Sequence, residues 1–423
     1  MQASARLRDP CVVLPPACGH TIGDRLFHRA DPSATGRLMS RTPQRYAAVS
    51  LFSGCGGMDL GAEQSGRARV VWAADNEHWA VETYRRNLGH HIVEADITQT
   101  AVPDVPCDIL LAGPPCQDYS TLWNHDGLKT ARGNLFRQVA RFLDELRPAA
   151  FVLENVPGLL SANNGTAWTL VRHALRSPSS FNGTSQPPGV RYDLSAQVVD
   201  FADLGVPQHR ERLIVVGVRR DLRVRPPVIP TPFAGGHVTV HDALDVNPIC
   251  DPAPNHERGL DSRTVVERLK LIPPGSNFEA IPAGHPLAVK GLISHVYRRL
   301  DPDKPAYTMI AGGGGGTHGY HHIEPRRLSN REKARLQGFP DDFVFEDGCG
   351  SGARELRSAY PRVRGQVGNA VPPPAAKLIV EVLAETLKQA GVRPRTAREL
   401  TAARRQASHP AKLSAAHTEK AVG

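Results

Sequence analysis

Between Arg45 and Asn155 the chain repeats one pattern: a short apolar run that closes in a small or polar cluster. The runs are YAAVSLF, ARVVWAAD, CDILLAG and PAAFVLEN. They read as strands buried on both faces of a parallel sheet. Helical patterns lie between them. The clearest spans Asn134 to Arg147, where Leu135, Val139, Phe142 and Leu146 recur at helical spacing and Arg137, Arg141 and Glu145 point outward. Strand followed by helix, repeated, predicts a doubly wound α/β sheet, and such sheets bind ligands at the carboxyl ends of their strands. A further strand is predicted over residues 212–218 (RLIVVGV), with helices over Ser329–Leu336 and Pro374–Leu387. The last carries an apolar stripe of Leu378, Ile379, Val382, Leu383 and Leu387 and is expected to pack back on the sheet. There are no internal repeats.

The texture changes elsewhere. Residues 1–45 mix Pro, Arg, Ser and Ala without a period and read as a disordered extension, within which Met39 is an alternative start. From Arg223 to about Ala306 the chain is rich in Pro, Gly, His and Asp, which predicts a second, smaller, loop-rich domain. Residues 393–423 read as a basic disordered tail.

With 423 residues and 40% hydrophobic content, disorder throughout is excluded. No apolar run reaches the roughly 18 residues of a membrane span, and the N-terminus lacks a signal-peptide pattern, so a soluble cytoplasmic protein is expected. Lys and Arg total 51 against 42 for Asp and Glu, a net charge of +9 that suits a polyanionic partner. The seven cysteines are odd in number and scattered, which argues against a disulfide framework. Cys11, Cys18 and His20 match no zinc spacing, and no metal is expected.

The strand ends carry the chemistry. After the first strand come Phe52-Ser53-Gly54-Cys55-Gly56-Gly57, whose glycines permit either a tight turn or close approach to a nucleotide-like ligand. The second strand ends at Asp75, placed to accept both hydroxyls of a ribose. Asp96 closes EADI and is either a helix cap or a ligand to an adenine amino group. The fourth strand delivers Gly113-Pro114-Pro115-Cys116-Gln117, in which two prolines hold one cysteine rigidly at the strand's end, as a nucleophile requires. The fifth ends in Glu154-Asn155-Val156, a carboxyl group flanked by apolar segments that favour its protonated form. In Gln208-His209-Arg210-Glu211-Arg212 the two guanidiniums alternate and share one face, either toward the site, holding Cys116, Glu154 and a phosphate or carbonyl oxygen, or toward solvent.

Taken in order, these residues closely resemble the DNA (cytosine-5)-methyltransferases. The family's blocks F-x-G-x-G-G, P-C-Q, E-N-V, Q-x-R-x-R, R-E-x-x-R-L-Q-G-F-P and G-N-A-V-P match Phe52–Gly57, Pro115–Gln117, Glu154–Val156, Gln208–Arg212, Arg331–Pro340 and Gly368–Pro372. The resemblance covers roughly residues 46–390. It implies a Rossmann-like S-adenosylmethionine-dependent methyltransferase sheet, with a catalytic and cofactor-binding domain over 46–222, a target-recognition domain over 223–306, and a return to the catalytic domain over 307–392. It implies that Phe52 stacks on the adenine of S-adenosyl-L-methionine, that Gly54, Gly56 and Gly57 line its methionine end, that Asp75 takes the ribose and Asn76 lies against the adenine, and that Asp96 accepts from the adenine amino group. Pro115, Leu135, Asn369 and Ala370 match further cofactor contacts.

The resemblance also implies the reaction. Cys116 adds to C6 of a flipped-out cytosine in duplex DNA, Glu154 stabilises the N3-protonated ring, Arg210 and Arg212 support, and C5 takes the methyl group. Residues 117–134 are then the lid. Asp118, Tyr119 and Asp75 depart from the family's commoner residues, which bears on target preference rather than on the reaction. His318, His321 and His322 are expected to contact phosphate or solvent. A monomer is expected, with a separately acting restriction endonuclease as a possible partner. Two alternatives stand: an RNA (tRNA) cytosine-5 methyltransferase, which the long variable segment disfavours, and a catalytically silent DNA-binding protein, which the intact Cys116, Glu154, Arg210 and Arg212 disfavour.

Overall fold

A computed structural model of the chain describes residues 44–115, 134–182, 189–258, 261–289, 296–312, 318–348 and 353–407. Cys116, most of the expected lid and both termini lie outside the described residues. In chain order the main elements are β1 (Tyr46–Leu51), α1 (Gly57–Gln64), β2 (Ala68–Asp75), α2 (His78–Leu88), β3 (Ile92–Glu94) and β4 (Ile109–Ala112). They continue with α3 (Asn134–Leu146), β5 (Ala150–Asn155), α4 (Thr166–Arg176), β6 (Tyr192–Asp200) and β7 (Glu211–Arg219). After the variable segment come α5 (Asn330–Leu336), α6 (Ala353–Asn369), α7 (Pro373–Gln389) and α8 (Ala397–Ala407).

The sheet has seven strands in the order β3-β2-β1-β4-β5-β7-β6. Its first five strands are parallel, and each predicted apolar run is one of them. β1 and β4 are buried along their whole length, because helices cover both faces. β7 runs antiparallel to β5, and β6 antiparallel to β7. The hairpin was half legible. β7 reads as an apolar run, whereas the edge strand β6, YDLSAQVVD, has half-covered positions and shows no such run.

One core unites α1, α2 and α7 on one face, through Ala62, Val81, Tyr84, Ile379, Val380, Leu383 and Leu387. The other face takes α3, α4 and α8, through Phe136, Val139, Phe142, Leu143, Val171, Leu175, Leu400 and Ala403. β1 and β4 are parallel neighbours from which the strand order runs outward in opposite directions, so their carboxyl ends open a crevice at the sheet's switch point.

Two expectations need correction. The segment after Arg393 is not a disordered tail throughout: α8 buries Leu400 and Ala403 against the sheet, and Arg404 donates to Val70 O at 2.7 Å. Arg395 makes a two-bonded ion pair with Asp108, 2.9 Å at each contact, which ties this end to β4. Arg395 and Arg404 are therefore partners of carboxylates already inside the fold. His321 and His322 do not face phosphate or solvent either. They are buried and stacked at 4.5 Å, with His322 Nε2 2.8 Å from Asp245 Oδ2 and His321 Nδ1 accepting from the Ile323 and Glu324 amides.

The variable segment contributes short helices at Val240–Leu244 and Arg263–Lys270. Arg298–Arg299 pairs in parallel with His318–Tyr320, a contact that crosses the expected boundary at Ala306. No helix among the described residues is long and apolar enough to cross a membrane.

Candidate active site

The switch-point crevice is a cavity of about 620 Å³, within the range of roughly 300–1,000 Å³ usual for small-ligand sites. Phe52, Gly54, Asp75, Asn76, Pro115, Glu154, Arg210, Arg212, Asn369 and Ala370 all line it. Ten residues singled out in sequence, spread from β1 to the far end of α6, thus share one cavity.

The turn after β1 is held open on the cavity side by its backbone. Phe52 has φ 57, a left-handed conformation that a bulky residue adopts only when its surroundings impose it. The Gly54 amide donates to Asp75 Oδ2 at 2.7 Å, and the Glu77 amide donates to Asp75 Oδ1 at 2.9 Å. Asp75 therefore braces the turn against β2 while each oxygen keeps a lone pair for a ligand hydroxyl. Burial raises its pKa, against the pull of those amides.

Gly56 and Gly57 lie behind this wall. A β-carbon at Gly56 would run into Leu88 and Tyr84, and one at Gly57 into the carbonyl of Val371. These glycines let α1 pack against α2 and the segment before α7. Asp96 and Leu135 are also absent from the wall. Asp96 is exposed and caps a turn through the Thr98 amide at 2.8 Å, and Leu135 packs beneath the sheet.

On the opposite wall, β5 and β7 bring Glu154 Oε1 within 2.9 Å of Arg212 Nε. Burial raises the Glu154 pKa, and Arg212 and Arg210 oppose the rise without cancelling it. The carboxyl thus stays closer to its protonated form than an exposed glutamate would. Arg210 shares that face but does a different job. Its two terminal nitrogens donate to Met309 O at 3.2 Å and Gly368 O at 2.9 Å, so it acts on Glu154 only by its charge. Burial and neighbouring Arg212 push its pKa down to about 9.

Two functional positions went unread in sequence. Asn155 was quoted within a motif without a role; its buried side chain donates to Pro114 O at 3.0 Å and so steadies the loop that leads through Pro115 to Cys116. Glu77 was passed over, yet it lines the cavity beside Asp75 and caps α2 through the Ala80 amide at 2.6 Å. Its place as the N-cap following a strand end was the available signal. Gln208 is a structural hub, fully buried between Gln337 Oε1 at 2.7 Å and the Met309 amide at 2.8 Å.

The same architecture occurs in the crystal structure of an E. coli protein described as a prophage-encoded DNA modification methyltransferase. The TM-score is 0.59 at 23% identity, over 81% of this chain and 99% of that one. Topology and this likeness together define a Rossmann-like α/β fold, with a mostly parallel seven-stranded sheet. The profile of the C-5 cytosine-specific DNA methylases matches residues 46–385, and the chain belongs to that family. It is 45% identical to the type II methyltransferase M.NgoFVII of Neisseria gonorrhoeae, over 77% of this chain and 83% of the relative. It is 37% identical to the type II methyltransferase M.BbvI of Brevibacillus brevis, over 79% and 90% respectively.

Proposed function

We propose that the chain transfers a methyl group from S-adenosyl-L-methionine to C5 of a flipped-out cytosine within a specific duplex DNA sequence, through a Cys116–C6 adduct, as the modification enzyme of a restriction-modification system. The observation that carries the reading is a single cavity with a braced glycine turn and two carboxylates on one wall and the Glu154–Arg212 pair on the other. The residues fit the donor. Asp75 and Glu77 suit ribose hydroxyls, the ring of Phe52 suits a purine face, and the backbone around Gly54 leaves room for the amino-acid end.

When bound, the donor supplies an electrophilic methyl group. The chain makes cytosine C5 reactive toward it. The Cys116 thiolate adds to C6, while Glu154 donates a proton to N3, so that the ring electrons gather at C5 rather than on nitrogen. Arg212 holds the Glu154 carboxyl in place. Arg210 holds the strand against Met309 and Gly368 and thereby closes the wall that carries Asn369 and Ala370. After transfer, loss of the C5 proton to water, expulsion of the Cys116 thiolate and return of the N3 proton to Glu154 restore the aromatic ring. The base leaves the helix because C6 is covered in stacked duplex. Residues 223–306 then form the target-recognition domain.

Duplex DNA carrying 5-fluorocytosine tests this, because fluorine at C5 blocks the elimination. With S-adenosyl-L-methionine it is expected to give a denaturation-resistant adduct that maps to Cys116 and is lost in Cys116→Ser. An adduct on another cysteine overturns the assignment. Methylation-sensitive sequencing of DNA from cells expressing the protein identifies the target.

A further inference from the structure

Beneath the glycine turn lies a carboxyl group that the reaction above leaves idle. Asp59, in the first turn of α1, is fully buried. Its Oδ1 accepts from Ser50 Oγ at 2.6 Å, and Ser50 Oγ accepts from Ser53 Oγ at 2.9 Å. Ser50 and Ser53 both line the donor cavity. A hydrogen-bonded path therefore runs from the cavity wall down to one buried acid. Tyr84 faces Asp59 from α2, its hydroxyl 3.0 Å from His91 Nε2. Cys55 lies in the turn above, Glu63 one turn further along α1, and Arg404 approaches from α8. Arg404 is itself paired with Glu63, so among the described residues no cation pairs directly with Asp59.

We propose, resting on the donor assignment above, that Asp59 is a positioning residue for the donor: as the anion it turns the Ser50 and Ser53 hydroxyls inward and gives the turn a negative potential that holds a sulfonium-bearing donor more tightly than its neutral, demethylated product. An ionised carboxylate only accepts, so Ser50 must donate to it and Ser53 to Ser50. Ser53 then shows lone pairs to the cavity, which suit the ammonium of the donor's amino-acid end. A protonated Asp59 lets the path reverse, and both the potential and the lone-pair face are lost. Burial pushes Asp59 up to about 7, so both forms are populated near neutrality. By linkage, the form that binds the donor more tightly is favoured as pH rises.

The test is equilibrium binding of S-adenosylmethionine and S-adenosylhomocysteine to the full chain by calorimetry at pH 6, 7 and 8. Both ligands share an α-amino group that titrates near pH 8, and both meet Asp75 and Glu77, so the ratio of their dissociation constants isolates the sulfonium. In the wild type, preference for the donor is expected to grow roughly tenfold from pH 6 to pH 8, a usual size for coupled sites. In Asp59→Asn the preference is expected to be flat. In Ser50→Ala, which keeps the charge and cuts the path, it is expected to fall between the two and serves if the first variant does not fold. A wild-type preference independent of pH, or a variant with unchanged slope, overturns the proposal. If neither ligand binds the wild type, the donor assignment fails instead.

Discussion

Glu154 and Arg212 meet at 2.9 Å because β5 and β7 run antiparallel, with Glu154 opposite Ile214 and Arg212 two residues away on the same face. A parallel neighbour in that position would have aimed the guanidinium elsewhere. Glu154→Gln keeps the shape but cannot deliver a proton, and a loss of roughly 10²–10⁴-fold in single-turnover methylation is expected, with donor binding retained.

In the proposed reaction the acid form of Glu154 is the one that acts, so methylation is expected to decline on the alkaline side of its raised pKa. Arg212 holds that value down. Arg212→Met is therefore expected to shift the alkaline limb to higher pH while lowering the maximum rate. A pH–rate profile displaced the other way counts against this account.

Arg210 binds two backbone carbonyls in a buried setting, and removing it leaves both without a donor. Arg210→Met is expected to cost about 3 kcal/mol of stability. Because the clamped segment carries Asn369 and Ala370, donor affinity should weaken in parallel. Denaturant unfolding with donor calorimetry reads both; an unchanged affinity would mean the clamp is purely architectural.

Gly368 lies so close to Ala311 that any β-carbon would overlap its backbone, as one at Gly57 would overlap Val371. Gly368→Ala and Gly57→Ala are each expected to lower the melting temperature. Gly54→Ala meets no neighbour, but its φ of 53 is disfavoured for alanine, so a smaller loss of about 1 kcal/mol is expected.

Ending the chain after Pro394 removes α8 with its buried Leu400 and Ala403 and the Arg395–Asp108 and Arg404–Glu63 pairs. A destabilisation of about 3 kcal/mol is expected. Ending it after Ala407 should leave the unfolding midpoint unchanged.

The parallel strands and the helices α3 and α7 were legible because both faces of the sheet are covered and these two helices show one apolar stripe each. Most of the site was legible as well, since parallel strands deliver their following residues to one edge. Phe52, Asp75, Pro115 and Glu154 had to meet there. Periodicity does not report what a side chain touches across the chain. Gly56 and Gly57 were read as ligand contacts and lie at packing positions, and Arg210, read as holding Glu154 and a phosphate or carbonyl oxygen, holds the carbonyls of Met309 and Gly368, which sequence spacing could not name.

By itself the sequence determined the strand-and-helix order, the residues that end each strand and, through the six ordered motifs, the family to which the chain belongs. Those are local properties of covalent order and hydrophobic pattern. Only the tertiary structure decided that Asp59 lies beneath the turn, that α8 docks on β2, and which guanidinium faces Glu154. Each of these depends on contacts between residues far apart in the chain, where burial and hydrogen-bond geometry choose among partners that sequence spacing leaves equivalent.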